Sequence, residues 1–153
     1  MIYKIFICFF LIYSIHFKVF SLDPPKELIL IDLKKGNGIK AEKGSLVFVH
    51  YRGWLFDSKK NVKDPCKAKG KMFDSTLDDG YRNNPGTKES LFSFRLGKRL
   101  VIEGWERGIE NMTVGGKRCL VIPPHLAYGN RDIGRIIKAN SYLIFEVDLV
   151  SVE

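Results

Sequence analysis

The 153-residue sequence lacks the residue patterns of the commonest catalytic centres. Its three histidines and three cysteines show no HExxH, HxxxH or CxxC spacing, so neither a zinc site nor a thiol–disulfide redox enzyme is predicted. The signatures G-x-S-x-G, P-loop and G-x-G-x-x-G are also absent. No apolar run reaches the roughly 20 residues of a standard membrane helix. These absences predict a protein that works without a metal or cofactor.

Residues 1–21 differ in composition from the rest of the chain. Sixteen of them are apolar and none is acidic, whereas all 14 glycines lie between Gly36 and Gly134. Lys4 precedes an apolar run over residues 5–15. This run has the length of a signal-peptide core, so the segment predicts export.

The small residues at the end of this segment are compatible with signal-peptide cleavage after Ser21. We therefore predict a signal peptide over residues 1–21 and one folded domain over 22–153, which is periplasmic or secreted. The alternative is an uncleaved membrane anchor over residues 5–20, which is less favourable because His16 and Lys18 would lie in the hydrocarbon.

The net charge of +8 raises the question of a nucleic-acid or membrane partner. Without the two leader lysines, the 25 basic residues become 23 against 17 acidic ones, a net charge of +6. Many of the lysines lie in the segment 57–71, without interleaved aromatic residues. A solvated loop explains this pattern better than a nucleic-acid track, so we predict no nucleic-acid partner. A membrane partner is expected only if the leader stays uncleaved.

Two cysteines, Cys66 and Cys119, remain after the leader. Strand alternation points Leu120 and Ile122 inward and hence Cys119 outward, while Cys66 lies in the lysine-rich segment. This placement favours two unpaired thiols, although export to an oxidising compartment would permit a disulfide.

The pattern over the mature chain indicates short strands and one short helix. Predicted strands cover residues 28–33, 45–54, 72–75, 91–96, 117–122 and 141–150, and predicted polar loops cover 57–71, 76–90 and 125–140. The spacing of Ile102, Trp105 and Ile109 predicts a helix within 101–111. Short connections favour antiparallel pairing, so the predicted class is α+β, with the helix covering the apolar face of the sheet.

Seven segments in this order match a known family. They are VHYRGWL (49–55), FDS (73–75), FSFRLG (92–97), VIEGWERG (101–108), VGGKR (114–118), IPP with AYG (122–129) and LIFEV (143–147). The chain resembles the FKBP-type (tacrolimus-binding) peptidyl-prolyl cis-trans isomerases, especially their single-domain bacterial type. The resemblance implies a bent antiparallel sheet of five or six strands wrapped around one short helix.

The resemblance also implies a pocket between the sheet and the helix. It puts Trp105 at the floor, Asp74 and Tyr128 at the mouth, and the backbone N–H of Ile102 where it could hold a substrate carbonyl; these four are the implied catalytic residues. The implied substrate-binding residues are Tyr51, Phe73, Phe92, Val101, Ile137 and Phe145, with Ile137 in a loop that leans over the ligand.

The implied activity is rotation about X–Pro peptide bonds during the folding of exported proteins. Amide resonance sets a barrier of about 18–20 kcal/mol, and a dry aromatic pocket disfavours the dipolar planar form relative to the twisted one. The expected ligands are proline-containing polypeptides and macrolides of the tacrolimus type, and the expected oligomeric state is a monomer. The alternative is a peptide-binding or chaperone module that uses the same pocket without catalysis.

Departures from the family pattern fall in the loops. The segments 57–71 and 76–90 are longer than in minimal family members. Lys138 and Ala139 stand where two prolines are common, and Ile133 stands where some members have histidine. These differences concern the choice of substrate and the affinity for macrolides.

Overall fold

The computed structural model describes residues 22–78 and 91–153; the predicted leader over 1–21 and most of the predicted loop 76–90 lie outside them. Within these two ranges the chain forms six strands and one α-helix. The strands are β1 (Ile29–Lys34), β2 (Leu46–Phe56), β3 (Lys69–Ser75), β4 (Phe92–Arg95), β5 (Lys117–Ile122) and β6 (Leu143–Val152), and the helix is α1 (Glu103–Ile109). In addition, 3₁₀ turns span Pro65–Lys67 and Pro124–Leu126.

The strands pair into one antiparallel sheet in the order β1-β5-β6-β2-β3, and β4 also pairs with β2. The eleven residues of β2 serve three partners. They pair with β6 along most of their length, with β4 over the first half and with β3 over the second. The predicted α+β class with five or six antiparallel strands and one helix is confirmed. Among the described residues, no helix is long and apolar enough to cross a membrane.

The inner face of the sheet carries the main core. Alternating residues of β2 and β6 are buried there, as the strand pattern predicts. They are Val47, Val49 and Tyr51 in β2, and Leu143, Phe145, Val147 and Leu149 in β6.

Helix α1 packs on this inner face through its two glycines. A Cβ atom at Gly104 would lie 2.5 Å from Cγ2 of Ile122, and one at Gly108 would lie 2.7 Å from Cδ2 of Leu120. The glycines therefore let the helix backbone approach β5 more closely than any side chain would permit. This approach fixes the depth of Trp105, which lies between them in α1.

The C-terminal end of α1 is held by a residue of β5. The Nη1 atom of Arg118 donates to the carbonyl of Gly108 at 2.8 Å, and its Nε atom donates to Asp32 of β1 at 2.6 Å. The last turn of a helix leaves carbonyls without intrahelical partners, and a cation there also complements the helix dipole. Asn111, just beyond the helix, adopts a left-handed conformation with φ 67°.

The outer face of the sheet carries a second apolar cluster, which the sequence analysis did not anticipate. Its buried members are Trp54, Cys66, Ala68, Cys119, Val121 and Ile144. Cys66 and Cys119 form a disulfide, with their Cα atoms 6.3 Å apart. The expectation of unpaired thiols was therefore wrong. Alternation does put Cys119 on the outer face, but the segment before β3 covers that face and leaves Cys119 0% exposed.

The same segment differs from the predicted polar loop 57–71. Strand β3 begins at Lys69, three residues earlier than predicted, and a 3₁₀ turn precedes it. Asp64 caps this turn, because its Oδ1 atom accepts a hydrogen bond from the N–H of Cys66 at 2.9 Å. The lysines of the segment face solvent at several positions while Cys66 and Ala68 point into the outer cluster.

Candidate active site

A cavity of about 510 Å³ opens between the sheet and α1. Each of its walls comes from a different element, so the site exists only when the sheet is assembled. The lining residues are Tyr51 (β2), Phe73 and Asp74 (β3), Phe92 (β4), Trp105 (α1), Phe145 (β6), and Leu100, Val101, Ile102, Ala127, Tyr128 and Arg131 from the connections.

A larger concavity of about 660 Å³ lies against α1 and the β4–α1 connection. Charged side chains of both signs line most of it, including Lys43, Glu103, Glu106 and Arg107. We place the functional site in the aromatic cavity instead, because ligand sites are typically apolar concavities with a few convergent polar groups.

Trp105 forms the floor of the cavity and is 4% exposed. Its ring meets those of Tyr51, Phe145 and Phe92 edge to face, at centroid distances of 5.0, 5.2 and 5.8 Å. The indole N–H has no nitrogen or oxygen partner within the described ranges. A buried N–H without such a partner can make a weak contact with an aromatic ring.

Gly53 sets the spacing of the wall formed by Phe73 and Phe145. These two rings meet edge to face at 5.5 Å. A Cβ atom at Gly53 would lie 2.8 Å from both rings. The wall can therefore close over β2 only because this position has no side chain.

Asp74 is held at the mouth of the cavity by two hydrogen bonds. Its Oδ2 atom accepts from the hydroxyl of Tyr51, and its Oδ1 atom accepts from the N–H of Ser75 at 2.9 Å. Tyr51 is thus more than an apolar wall residue, because it orients the carboxylate. Both residues lie in predicted strands, but the sequence does not give the register that brings them together.

Tyr128 lies half-buried beside the same carboxylate. Burial and then the negative charge of Asp74 raise the pKa of Tyr128 above its ordinary value of 10.0. Its hydroxyl therefore stays protonated at neutral pH and can donate a hydrogen bond into the cavity.

The backbone of Ile102 begins helix α1 at the edge of the cavity. Its carbonyl accepts from the N–H of Trp105 at 2.9 Å and of Glu106 at 3.2 Å. Its own N–H has no recorded acceptor in the described part of the chain. Such donors at a helix start lack intrahelical partners, so this one is available to a carbonyl in the cavity.

The cavity brings together nine of the ten site residues that the resemblance implied. The exception is Ile137, which is 6% exposed and belongs to the main core cluster. Its loop is closed by a bridge between Ile133 and Ile137. The roles of all ten residues in binding and catalysis remain predictions.

Sequence reasoning missed three residues of the lining: Leu100, Ala127 and Arg131. Leu100 and Ala127 directly adjoin implied site residues, Val101 and Tyr128, and this adjacency was the available signal. Arg131 follows Tyr128 by three residues, and its N–H donates to the Tyr128 carbonyl at 3.3 Å. The sequence pattern does not indicate that Arg131, rather than Arg135 in the same loop, lines the cavity.

Comparison with known proteins identifies the family to which this chain belongs. Residues 37–150 match the family model described as FKBP-type peptidyl-prolyl cis-trans isomerase. An FK506-binding protein of Neisseria meningitidis is 41% identical over 125 residues, which cover 82% of this chain and 95% of the relative. The chain therefore belongs to the FKBP-type peptidyl-prolyl cis-trans isomerase family.

Longer proteins also contain this domain. FK506-binding protein 2B of Rhizopus delemar is 42% identical over 114 residues, but the match spans 74% of this chain and only 45% of that protein. The crystal structure of FkpA from Escherichia coli superposes with a TM-score of 0.60 at 34% identity. That match covers 82% of this chain and 48% of FkpA.

Proposed function

We propose that the protein accelerates cis-trans rotation about X–Pro peptide bonds in polypeptides that fold outside the cytoplasm. The observation that carries the proposal is the aromatic cavity with Asp74 and Tyr128 at its mouth. X–Pro bonds populate both isomers, and their exchange takes tens to hundreds of seconds, which makes it a limiting step in folding.

The cavity offers three physical contributions to a lower barrier. The planar amide is stabilised by resonance and is more dipolar than the twisted form, so moving it from water to an aromatic cavity disfavours the planar state. The N–H of Ile102, which has no acceptor among the described residues, and the protonated hydroxyl of Tyr128 can hold substrate carbonyls in a turned conformation. Asp74, oriented by Tyr51, places a negative charge near the rotating carbonyl carbon. None of these contributions requires a covalent bond.

The activity is tested with the purified protein and a refolding substrate whose slow phase is limited by proline isomerisation. We expect acceleration of that phase, with a loss of about 10²-fold in kcat/KM for Asp74→Ala, the lower end of the effect of removing one preorganised electrostatic group. The matched control is Asp57→Ala, a carboxylate between β2 and β3 that does not line the cavity. Peptide binding without acceleration would instead support a non-catalytic peptide-binding or chaperone module.

The relatives named FK506-binding proteins support a second ligand class, tacrolimus-type macrolides. Trp105 offers the flat apolar floor on which such a ring would lie. We expect Trp105→Ala to weaken macrolide binding by at least tenfold, since it removes one of the largest apolar surfaces of the site. Isothermal titration with tacrolimus measures this, and equal affinities for the two proteins would contradict the assigned site.

Two observations support an extracytoplasmic location. The leader pattern over residues 1–21 predicts export, and the buried Cys66–Cys119 disulfide belongs to an oxidising compartment. The mature N-terminus of the natural protein and its cell fraction test this location. Cleavage after Ser21 supports it, and an intact N-terminus in the cytoplasmic fraction argues against it.

A further inference from the structure

One charged residue of the cavity has no part in the proposed isomerisation: Arg131. It lines the same cavity as Asp74 but lies in the connection after Tyr128, and its side chain is exposed. The other lining residues are apolar or aromatic except Asp74, whose two oxygens are occupied by Tyr51 and Ser75. The rim therefore carries one positive charge, that of Arg131, beside an apolar concavity whose one negative charge is the hydrogen-bonded carboxylate of Asp74.

The acid next to Arg131 in sequence is engaged with other residues. Asp132, its direct neighbour, accepts from the Nζ atom of Lys138 at 3.1 Å and from the N–H of Ala139 at 2.8 Å. None of the ion pairs recorded among residues 22–78 and 91–153 includes Arg131. Within those ranges its guanidinium is available to a ligand.

We propose that Arg131 is a specificity-determining residue that selects polypeptides carrying a carboxylate close to the prolyl bond. A guanidinium presents several N–H donors in a planar fork that fits the two oxygens of a carboxylate. A substrate whose proline enters the aromatic cavity must pass its flanking residues over the rim that Arg131 lines. The carboxylate comes from an Asp or Glu side chain or from a chain terminus. This inference rests on the proposed isomerase function.

The test compares kcat/KM for matched peptides by exchange NMR at low ionic strength. One pair has Glu or Gln before proline, a second pair has the same exchange after proline, and a third has a free or amidated C-terminus next to proline. We expect a two- to fivefold preference for the carboxylate member of at least one pair, the size of a solvent-exposed ion pair. The preference should shrink as salt is added. The responding pair identifies the source of the carboxylate.

Variants of Arg131 show whether this residue selects carboxylates or only supports the structure of its loop. Arg131→Ala should bring the preference ratio to one, and Arg131→Lys should keep a ratio above one. The matched control, Arg135→Ala, removes an exposed arginine of the same loop that does not line the cavity, and should leave the ratio as in the natural protein.

The outcomes are distinct from a failure of the proposed function. If the uncharged peptides show no turnover, the isomerase function itself fails. If they turn over but all three ratios equal one, or if Arg131→Ala leaves the ratio unchanged, the selectivity proposal is overturned and the isomerase function stands.

Discussion

At the scale of single residues, the position of Gly53 decides whether the cavity has its shape. An added Cβ would lie 2.8 Å from both Phe73 and Phe145, which real Cβ contacts essentially never show. One or both rings must therefore move when this residue gains a methyl group. The segment that contains Gly53 was noticed in the sequence, but its role depends on two rings from β3 and β6.

We expect Gly53→Ala to lower kcat/KM for X–Pro isomerisation at least about tenfold, since misplacing a site by about 1 Å costs up to roughly 10²-fold. The measurement is exchange NMR on an uncharged proline peptide, together with thermal unfolding to verify the fold. Ser93→Ala, at an exposed position of β4, serves as the control. Full activity in a folded Gly53→Ala variant would show that the ring wall tolerates displacement.

The hydroxyl of Tyr128 provides a second test at this scale. Because burial and the charge of Asp74 raise its pKa above 10.0, the unfolded state releases this proton first as pH rises. The contribution of Tyr128 to stability is therefore complete below the unfolded value and is lost as pH rises through the folded pKa.

We expect alkaline titration at the tyrosinate absorbance to contain a phenol that titrates above 10.0 and is missing from Tyr128→Phe. In Asp74→Asn the pKa of this phenol should move back toward 10.0, because the neighbouring negative charge is gone. A Tyr128 phenol that titrates at or below the ordinary value would contradict the described environment.

At the scale of elements, helix α1 shows what sequence patterns can and cannot predict. The spacing of Ile102, Trp105 and Ile109 located the helix, because a buried helical face repeats every three to four residues. From the sequence alone, the two glycines in this segment indicated only that the helix is short. Their actual role, contact with Ile122 and Leu120 of β5, depends on which strand lies beneath the helix, and local patterns do not contain that information.

We expect Gly108→Ala to lower the free energy of unfolding by about 1–3 kcal/mol through overpacking against Leu120. In an exposed helix the same change would stabilise by about 0.5–1 kcal/mol, so the sign of the effect distinguishes the two situations. Urea unfolding gives the value. Arg107→Ala, on the exposed side of α1, is the control and should change stability by less than about 0.5 kcal/mol. A more stable Gly108→Ala variant would contradict the close packing.

At the scale of the whole molecule, the sheet is covered on both faces, and only one of them was predictable. Strand alternation in β2 and β6 identified the inner face, because its residues are uniformly apolar. The outer face carries Trp54, Cys119 and Ile144, but it also carries charged residues such as Glu146 and Asp148. Its cover comes from the segment before β3, whose lysines make it appear fully solvated. Few residues of that segment point inward, so they form no hydrophobic pattern from which its packing on the sheet could be predicted.

The site was predictable to a greater extent than this outer face, for a physical reason. Aromatic residues at fixed places in strands and at the start of α1 carry the family resemblance, and their directions follow from strand alternation. The contact between Tyr51 and Asp74 joins β2 to β3 and appears only when the register of those strands is known. Arg131 and Ile137 lie in a connection without regular periodicity, so their directions had no sequence signal.

The outer cluster adds stability through its disulfide, and this can be tested separately from catalysis. Cys66 and Cys119 are 53 residues apart in sequence, and closing a loop of this size in the unfolded chain contributes about 2–4 kcal/mol. We expect the variant Cys66→Ala/Cys119→Ala to lose stability in this range by urea unfolding. Reduction of the natural protein should have the same effect. The reductant should leave the stability of the double variant unchanged. This control separates loss of the disulfide from any other effect of the reductant.

Without the disulfide, trypsin should cleave the lysine-rich segment faster. The 3₁₀ turn Pro65–Lys67 then keeps the apolar contacts of Ala68, the capping bond of Asp64 and its backbone hydrogen bonds, but it loses its covalent link to β5. We expect cleavage within residues 59–71 to accelerate in the double variant under conditions that leave the sheet folded, since local opening precedes proteolysis. The cavity lies on the opposite face, so kcat/KM of the uncleaved variant should stay within about twofold. Equal cleavage rates for both proteins would show that the noncovalent contacts hold this segment without the disulfide.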